Sequence, residues 1–94
     1  MAHNALMHGE GDDVAVVIVD ITAGTQVSAV TLDGVQQGTV TAAQEIPLGH
    51  KIAMKDIAVG ADVMKYGRTI GAASQAISKG QHVHTHNVKS KRWA

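Results

Sequence analysis

The sequence predicts a mainly β domain built from short strands, and three observations predict it. Residues 14–19, Val-Ala-Val-Val-Ile-Val, are a continuous and largely β-branched run. Asp33-Gly34 separates two alternating segments, a strong short-range signal for a hairpin. An Ile-x-x-Gly-x-x-Val pattern recurs at Ile21/Gly24/Val27, Ile57/Gly60/Val63 and Ile77/Gly80/Val83. No long window has helical periodicity.

Taken in order, residues 1–13 read as a polar, turn-rich entry that contains His3 and His8 and ends in Asp12-Asp13. Residues 14–19 fit a strand buried on both faces. Residues 25–32 and 35–41 form the predicted hairpin around Asp33-Gly34. Pro47, the sole proline, opens a loop through residues 48–51. Residues 52–57 read as a short strand running into one helical turn. Residues 62–64, 69–74 and 82–88 read as further strands separated by glycines. The recurring pattern has the chemistry of a tight corner: Ile packs inward, Gly takes a positive φ, and Val starts the next strand facing the core. The copies lie 36 and then 20 residues apart, so this is a reused corner and not a solenoid repeat.

Composition limits the function. The 94 residues are 45% apolar, with one Tyr, one Trp and no Phe, so the core must come from Val, Ala and Ile with Met filling gaps. Such a core is thin for a chain of this size, which makes a partner subunit plausible. Cys is absent, which rules out disulfides and thiolate metal sites within the chain. No apolar run approaches the length of a membrane span, and no leader pattern opens the sequence, so a soluble cytoplasmic protein is expected. Net charge is zero but uneven: residues 1–50 carry six acids and no Lys or Arg, while residues 51–94 carry all eight Lys and Arg. Without aromatic stacking platforms, this asymmetry does not make a nucleic-acid surface.

Chemistry concentrates in residues 80–87, where His82, His84 and His86 alternate with Val83 and Thr85. On a strand, the three imidazoles share one face at steps of about 6.5–7 Å, able to converge on a metal ion or an anionic ligand. The same alternation also suits a solvated polar face. His50-Lys51 lies in a loop preceded by Gly49: Lys51 can pair with a carboxylate, His50 can join the other imidazoles, and a solvated loop is the alternative. Asn87 reads as fixing a loop or a His orientation. Tyr66 and Arg68 read as structural, and Lys89, Lys91, Arg92 and Trp93 as a docking tail of interface composition.

Several segments together resemble the SAF domain of the altronate/galactarate dehydratase family. They are Leu48-Gly49-His50-Lys51-Ile52-Ala53, Asp56-Ile57-Ala58-Val59-Gly60, Lys65-Tyr66-Gly67, Ile70-Gly71-Ala72-Ala73, and residues 80–88 with their three histidines. The opening His8-Gly9-Glu10-Gly11-Asp12-Asp13-Val14 is similar to that family's start, with Gly9 where Pro is usual. The resemblance spans roughly residues 6–90. It implies a β-clip fold with one or two short helical turns, as a single SAF-type domain over residues 1–94 (core about 6–88, basic tail 89–94).

The form is similar to the free-standing small (alpha) subunits of two-gene lyases such as sulfolactate sulfo-lyase. The implied function is elimination of water or sulfite from a 2-hydroxy acid such as a sugar acid or sulfolactate. A large catalytic subunit is the implied partner, and the chain is expected to be active only within that complex. The resemblance singles out His84 and His86, ahead of His82, as site residues, with His50 and Lys51 as further catalytic candidates. A divalent metal, Fe²⁺ among the options, is the implied cofactor, with His84, His86 and His8 as candidate ligands here and the partner subunit as the other possible holder. His8 with Asp12 is a second candidate group, and a turn role for Asp12 is its alternative. The competing expectation is a non-catalytic β-clip module that binds a metal or a small acidic ligand, homo-oligomeric when isolated.

Overall fold

The computed structural model describes residues 3–9, 12–65, 68–84 and 86–89, the side chain of Arg68 excepted. Tyr66 and the tail residues Lys91, Arg92 and Trp93 lie outside the described residues, as does the Arg68 side chain. The described strands are β1 (Ala5–Met7), β2 (Val14–Val17), β3 (Gln26–Thr31), β4 (Gln36–Thr41), β5 (Lys51–Ala53), β6 (Asp62–Lys65), β7 (Arg68–Ala73), β8 (His82–Val83) and β9 (Val88–Lys89). They form a six-stranded sheet in the order β4-β3-β1-β2-β5-β8 and a three-stranded sheet in the order β6-β7-β9. The mainly β architecture of short strands agrees with a β-clip.

The two faces of the six-stranded sheet carry two cores. Ala5 pairs with Val17 and Ala29, and Ala15 with Ile52, so these residues share one face. They join Met7, Val27, Val40 and Ile46 in the first apolar cluster. Val14, Ala53 and Val83 alternate to the other face and meet Val63 and Ala73 of the three-stranded sheet in the second. The outermost strands of the larger sheet also approach each other. Ala43 N–H donates to Gly80 O at 2.9 Å just beyond β4, and the His82 N–H of β8 donates to Gln44 Oε1 at 3.1 Å. The sheet therefore curls around its first core.

The predicted corners form as the pattern requires. Gly24, Gly60 and Gly80 have φ values of 89°, 82° and 92°, and each is flanked by a buried Ile and a buried Val. The Asp33-Gly34 hairpin closes with Thr31 N–H donating to Val35 O at 2.9 Å.

Four expectations are corrected. No helical turn follows Ile52 among the described residues, because Met54 N–H is bonded to Asp13 O and Ile57 N–H to Ile77 O across the fold. The entry read as polar contains β1, which inserts between β2 and β3 and pairs in parallel with β3. The run at 14–19 ends as a strand at Val17, and Ile18 and Val19 are exposed. Residues 82–88 are two short strands in different sheets, joined by a turn in which Asn87 and Val88 N–H both donate to His84 O at 3.1 Å.

Candidate functional site: an imidazole cluster

Three elements that are distant in sequence bring the imidazoles together. His50 directly precedes β5 and faces Val17, whose N–H donates to His50 O at 2.9 Å; His50 N–H in turn donates to Pro47 O at 2.9 Å. His82 pairs with Ile52 across β5 and β8, so it sits on the face of the first core. His84 follows β8 in the turn toward β9. Asn87, 4% exposed, holds that turn: its Oδ1 accepts the His84 N–H at 3.0 Å and its Nδ2 donates to His82 O at 2.7 Å.

The geometry is close. His50 Nδ1 and His82 Nε2 are 2.8 Å apart, a hydrogen bond in which one ring donates and the other accepts. His50 stacks on His84 with centroids 4.3 Å apart, and His84 stacks on His82 at 5.7 Å. His86 lies beside His82 with ring centroids 5.1 Å apart. One nitrogen from each of His50, His82 and His84 lies within 4.8 Å of the other two.

Electrostatics disfavours protonation of His82 and His84. His82 is held below its ordinary 6.5, first by burial and then by the neighbouring charges of His50, His86, His84 and Lys51. His84 is exposed, yet it is also lowered, by desolvation first and then by His50, Lys51 and His86. Lys51 pairs with Val16 and Val83, so strand alternation sends it to the face opposite the imidazoles. Its charge nonetheless reaches His82 and His84, and burial followed by the Lys65 charge lowers Lys51 itself.

Of the candidates from sequence, His50, His84 and His86 are thus brought together, and His82 is central to the group. His8 stands apart. It follows β1, whose register with β2 carries it toward Val14, whereas His50 faces Val17 at the other end of β2. Its N–H donates to Oδ2 of the buried Asp12 at 3.1 Å. A separate groove of about 240 Å³ is lined by Asp20, Ile21, Thr22, Glu45, Ile46 and Pro47 and contains no imidazole.

The donor set fits a first-row divalent ion. Imidazole nitrogen suits Fe²⁺, Ni²⁺, Cu²⁺ and Zn²⁺ alike. Bonds of about 2.1 Å place ligand nitrogens about 3.0–3.4 Å apart at cis-octahedral or tetrahedral angles, so the widest pair must close by up to about 1.5 Å. Partly exposed side chains make that adjustment by small χ rotations.

A family model described as the altronate/galactarate dehydratase SAF domain matches residues 3–91. The chain is 38% identical over 94 residues to the (2R)-sulfolactate sulfo-lyase subunit alpha of Chromohalobacter salexigens, covering 99% of this chain and 100% of that one. It is 47% identical over 79 residues to the altronate dehydratase of Escherichia coli, covering 84% of this chain and 15% of that one. With the galactarate dehydratase (L-threo-forming) of the same organism, identity is 34% over 74 residues, or 77% of this chain and 12% of the relative.

Proposed function

The chain belongs to the altronate/galactarate dehydratase SAF-domain family, and from that premise we propose that it is the small subunit of a two-subunit lyase. The substrate is a 2-hydroxy acid, and the bond broken is carbon–oxygen or carbon–sulfur. The observation that carries this reading is the cluster of His50, His82, His84 and His86 beside the paired strands β5 and β8. An end-to-end match to a sulfo-lyase alpha subunit supports it.

In this reading the imidazoles form half of a composite site that a larger catalytic subunit completes. His82 and His84, both biased toward the neutral form, suit metal ligation, and His86, beside His82 and outside the trio that would hold the ion, is left to act as the general base. The base accepts the proton from the carbon bearing the carboxylate. The released electron pair forms the double bond and expels from the adjacent carbon either sulfite or the hydroxyl group, which leaves as water by taking up a proton from the imidazolium, and the enol then tautomerises to a 2-keto acid. Lys51, on the opposite face of the strand, acts on the site through its charge, which helps keep His82 and His84 neutral. A divalent metal, held by His50, His82 and His84, supplies Lewis-acid polarisation when bound. A cytoplasmic location belongs to this reading; no helix among the described residues is long and apolar enough to cross a membrane.

The test is co-expression with the larger subunit, followed by assay of 2-keto acid formation from sulfolactate, altronate and galactarate. Turnover is expected only in the pair. The H84A/H86A variant should assemble with an unchanged circular dichroism spectrum and lose turnover by at least about 100-fold. Wild-type turnover in that variant would remove the imidazoles from the reaction. Ligand binding by the isolated chain, with no turnover in the pair, would favour a non-catalytic binding module instead.

A further inference from the structure

We propose that Leu48 is the anchor by which the larger subunit docks on this chain, and that the acidic groove beside it receives basic side chains of that subunit. Four tight turns of one geometry act as controls for one another. Backbone bonds of 2.9–3.1 Å close them, from Thr25 N–H to Thr22 O, His50 to Pro47, Ala61 to Ala58 and Gln81 to Ser78. Each has a glycine in third place with φ between 82° and 92°. The second place is the exposed tip, and it holds Ala23, Leu48, Val59 and Lys79 in turn. The same turn accepts a methyl group or a charged side chain at its tip, so folding does not call for a leucine there. Leu48 is nevertheless 59% exposed, which leaves a large apolar side chain in water.

Its surroundings separate Leu48 from Val59, the other large apolar tip. Residues 17–20 run beside residues 46–50: Gly49 N–H donates to Val17 O at 2.9 Å, and Leu48 N–H to Asp20 Oδ1 at 2.8 Å. That neighbouring segment also leaves Ile18 and Val19 exposed, so apolar surface gathers on both sides of the tie. The segment bridged to the Val59 turn carries Ser78 and Lys79 instead. Next to Leu48 lies the groove of about 240 Å³, with Ile46 and Pro47 in its wall and the carboxylates of Asp20 and Glu45 at its sides. An apolar projection beside an acidic recess is matched by an apolar pocket rimmed with Lys or Arg.

Two observations choose the occupant. A second copy docked symmetrically through this face sets Asp20 and Glu45 against their own counterparts, a like-charge contact. The Leu48 turn also ends on His50, whose ring belongs to the imidazole cluster. A chain seated on Leu48 is thereby brought to the edge of that cluster, where the lyase reading requires the larger subunit. The identity of the partner rests on that reading.

The experiment measures binding of the full chain to the purified larger subunit by titration calorimetry, and turnover against small-subunit concentration. L48A is expected to weaken binding by at least about tenfold and L48E by at least about 100-fold, each with a wild-type circular dichroism spectrum. Turnover of the L48A pair should return to the wild-type kcat at saturating small subunit, because Leu48 docks and does not react. V59E, the same charge placed at the matching tip, should bind as wild type. E45Q should flatten the loss of affinity with added salt. Wild-type affinity in L48E, with an active pair, overturns the anchor and leaves the lyase reading. Equal losses in L48E and V59E overturn it as well, since any tip would then serve. Self-association of the wild-type chain that L48E abolishes gives the face to a second copy and overturns the proposal. An unchanged salt dependence in E45Q removes the groove's charge from the interface. Leu48-dependent binding with no turnover counts against the lyase reading and leaves the docking surface standing.

Discussion

Asn87 shows how much of the site depends on one side chain. It is buried in the turn between β8 and β9 and bonds the backbone of His82 and His84, so it sets where two imidazoles emerge. The alternation of His82, His84 and His86 was legible in sequence, and so was His50 as a residue able to join them. The His50–His82 hydrogen bond was not, because it exists only once β5 pairs with β8 across 32 positions of chain. A pH prediction belongs at this scale. His82 and His84 have folded-state pKa values below their ordinary 6.5, so the unfolded chain binds more protons as acidity rises. Their contribution to stability is therefore complete above pH 6.5 and is lost as pH falls through the lower folded values. The melting temperature of the isolated chain is expected to be level from pH 8 to 7 and to decline toward pH 5. H82N should decline less steeply. Because both rings are solvent-screened, the slope and not its size is the readout, and equal slopes for the two proteins would exclude the imidazoles as its cause.

At the level of elements, the corners are the structural theme. The three legible copies have an unrecognised fourth, Ile46/Gly49/Ile52, in which Ile stands where the others have Val. Ile46 and Ile52 are both fully buried, and Gly49 has a φ of 87°. The copies work in reciprocal pairs, with bridges Ile21–Ile46 and Ile57–Ile77. Within each pair an aspartate preceding one Ile accepts a backbone N–H from the partner corner: Asp20 from Leu48 and Asp56 from Lys79, both at 2.8 Å. A strict-identity reading missed the fourth copy because the position requires only a β-branched residue that faces the core. The pairing was illegible because the partner corners are separated by whole hairpins. Two glycines distinguish the conformational requirement from the packing requirement. A methyl group at Gly24 meets nothing within 4 Å, so G24A should cost only the positive-φ penalty, about 1–2 kcal/mol. At Gly80 the added carbon would lie 2.1 Å from Thr41 O, the contact that lets β8 curl back toward β4. G80A should cost more than G24A, by at least about 1 kcal/mol in urea unfolding, since backbone and not a flexible side chain must move. Equal costs would show that the corner approaches Thr41 without constraint.

Across the whole molecule, the question is what joins the two sheets, since each has its own hydrogen-bonded ladder. The second core supplies apolar contact, with Val14, Ala53 and Val83 of the larger sheet against Val63 and Ala73 of the smaller. Asp13 supplies the polar stitch. Its N–H donates to Met64 O at 2.9 Å, its Oδ2 accepts the Met64 N–H at 2.8 Å, and its carbonyl accepts the Met54 N–H at 2.9 Å. Its Oδ1 also meets Lys55 Nζ at 2.9 Å, but that lysine is largely solvated, so the ion pair contributes at most about 1 kcal/mol. Sequence showed a turn-rich Asp12-Asp13 before a strand and gave no sign that one of the two would clamp a strand 51 residues away. The ranking of three variants follows. K55A should cost less than about 1 kcal/mol. D13N keeps an oxygen for Met64 N–H and should cost about the same. D13A leaves that N–H unpaired beneath the junction and should cost about 2–3 kcal/mol. Hydrogen exchange locates the damage: in D13A the Met64 amide should lose protection well before the amides of β1 and β2, as the smaller sheet parts from the larger. If D13N is as damaging as D13A, the charge and not the hydrogen bond holds the sheets together.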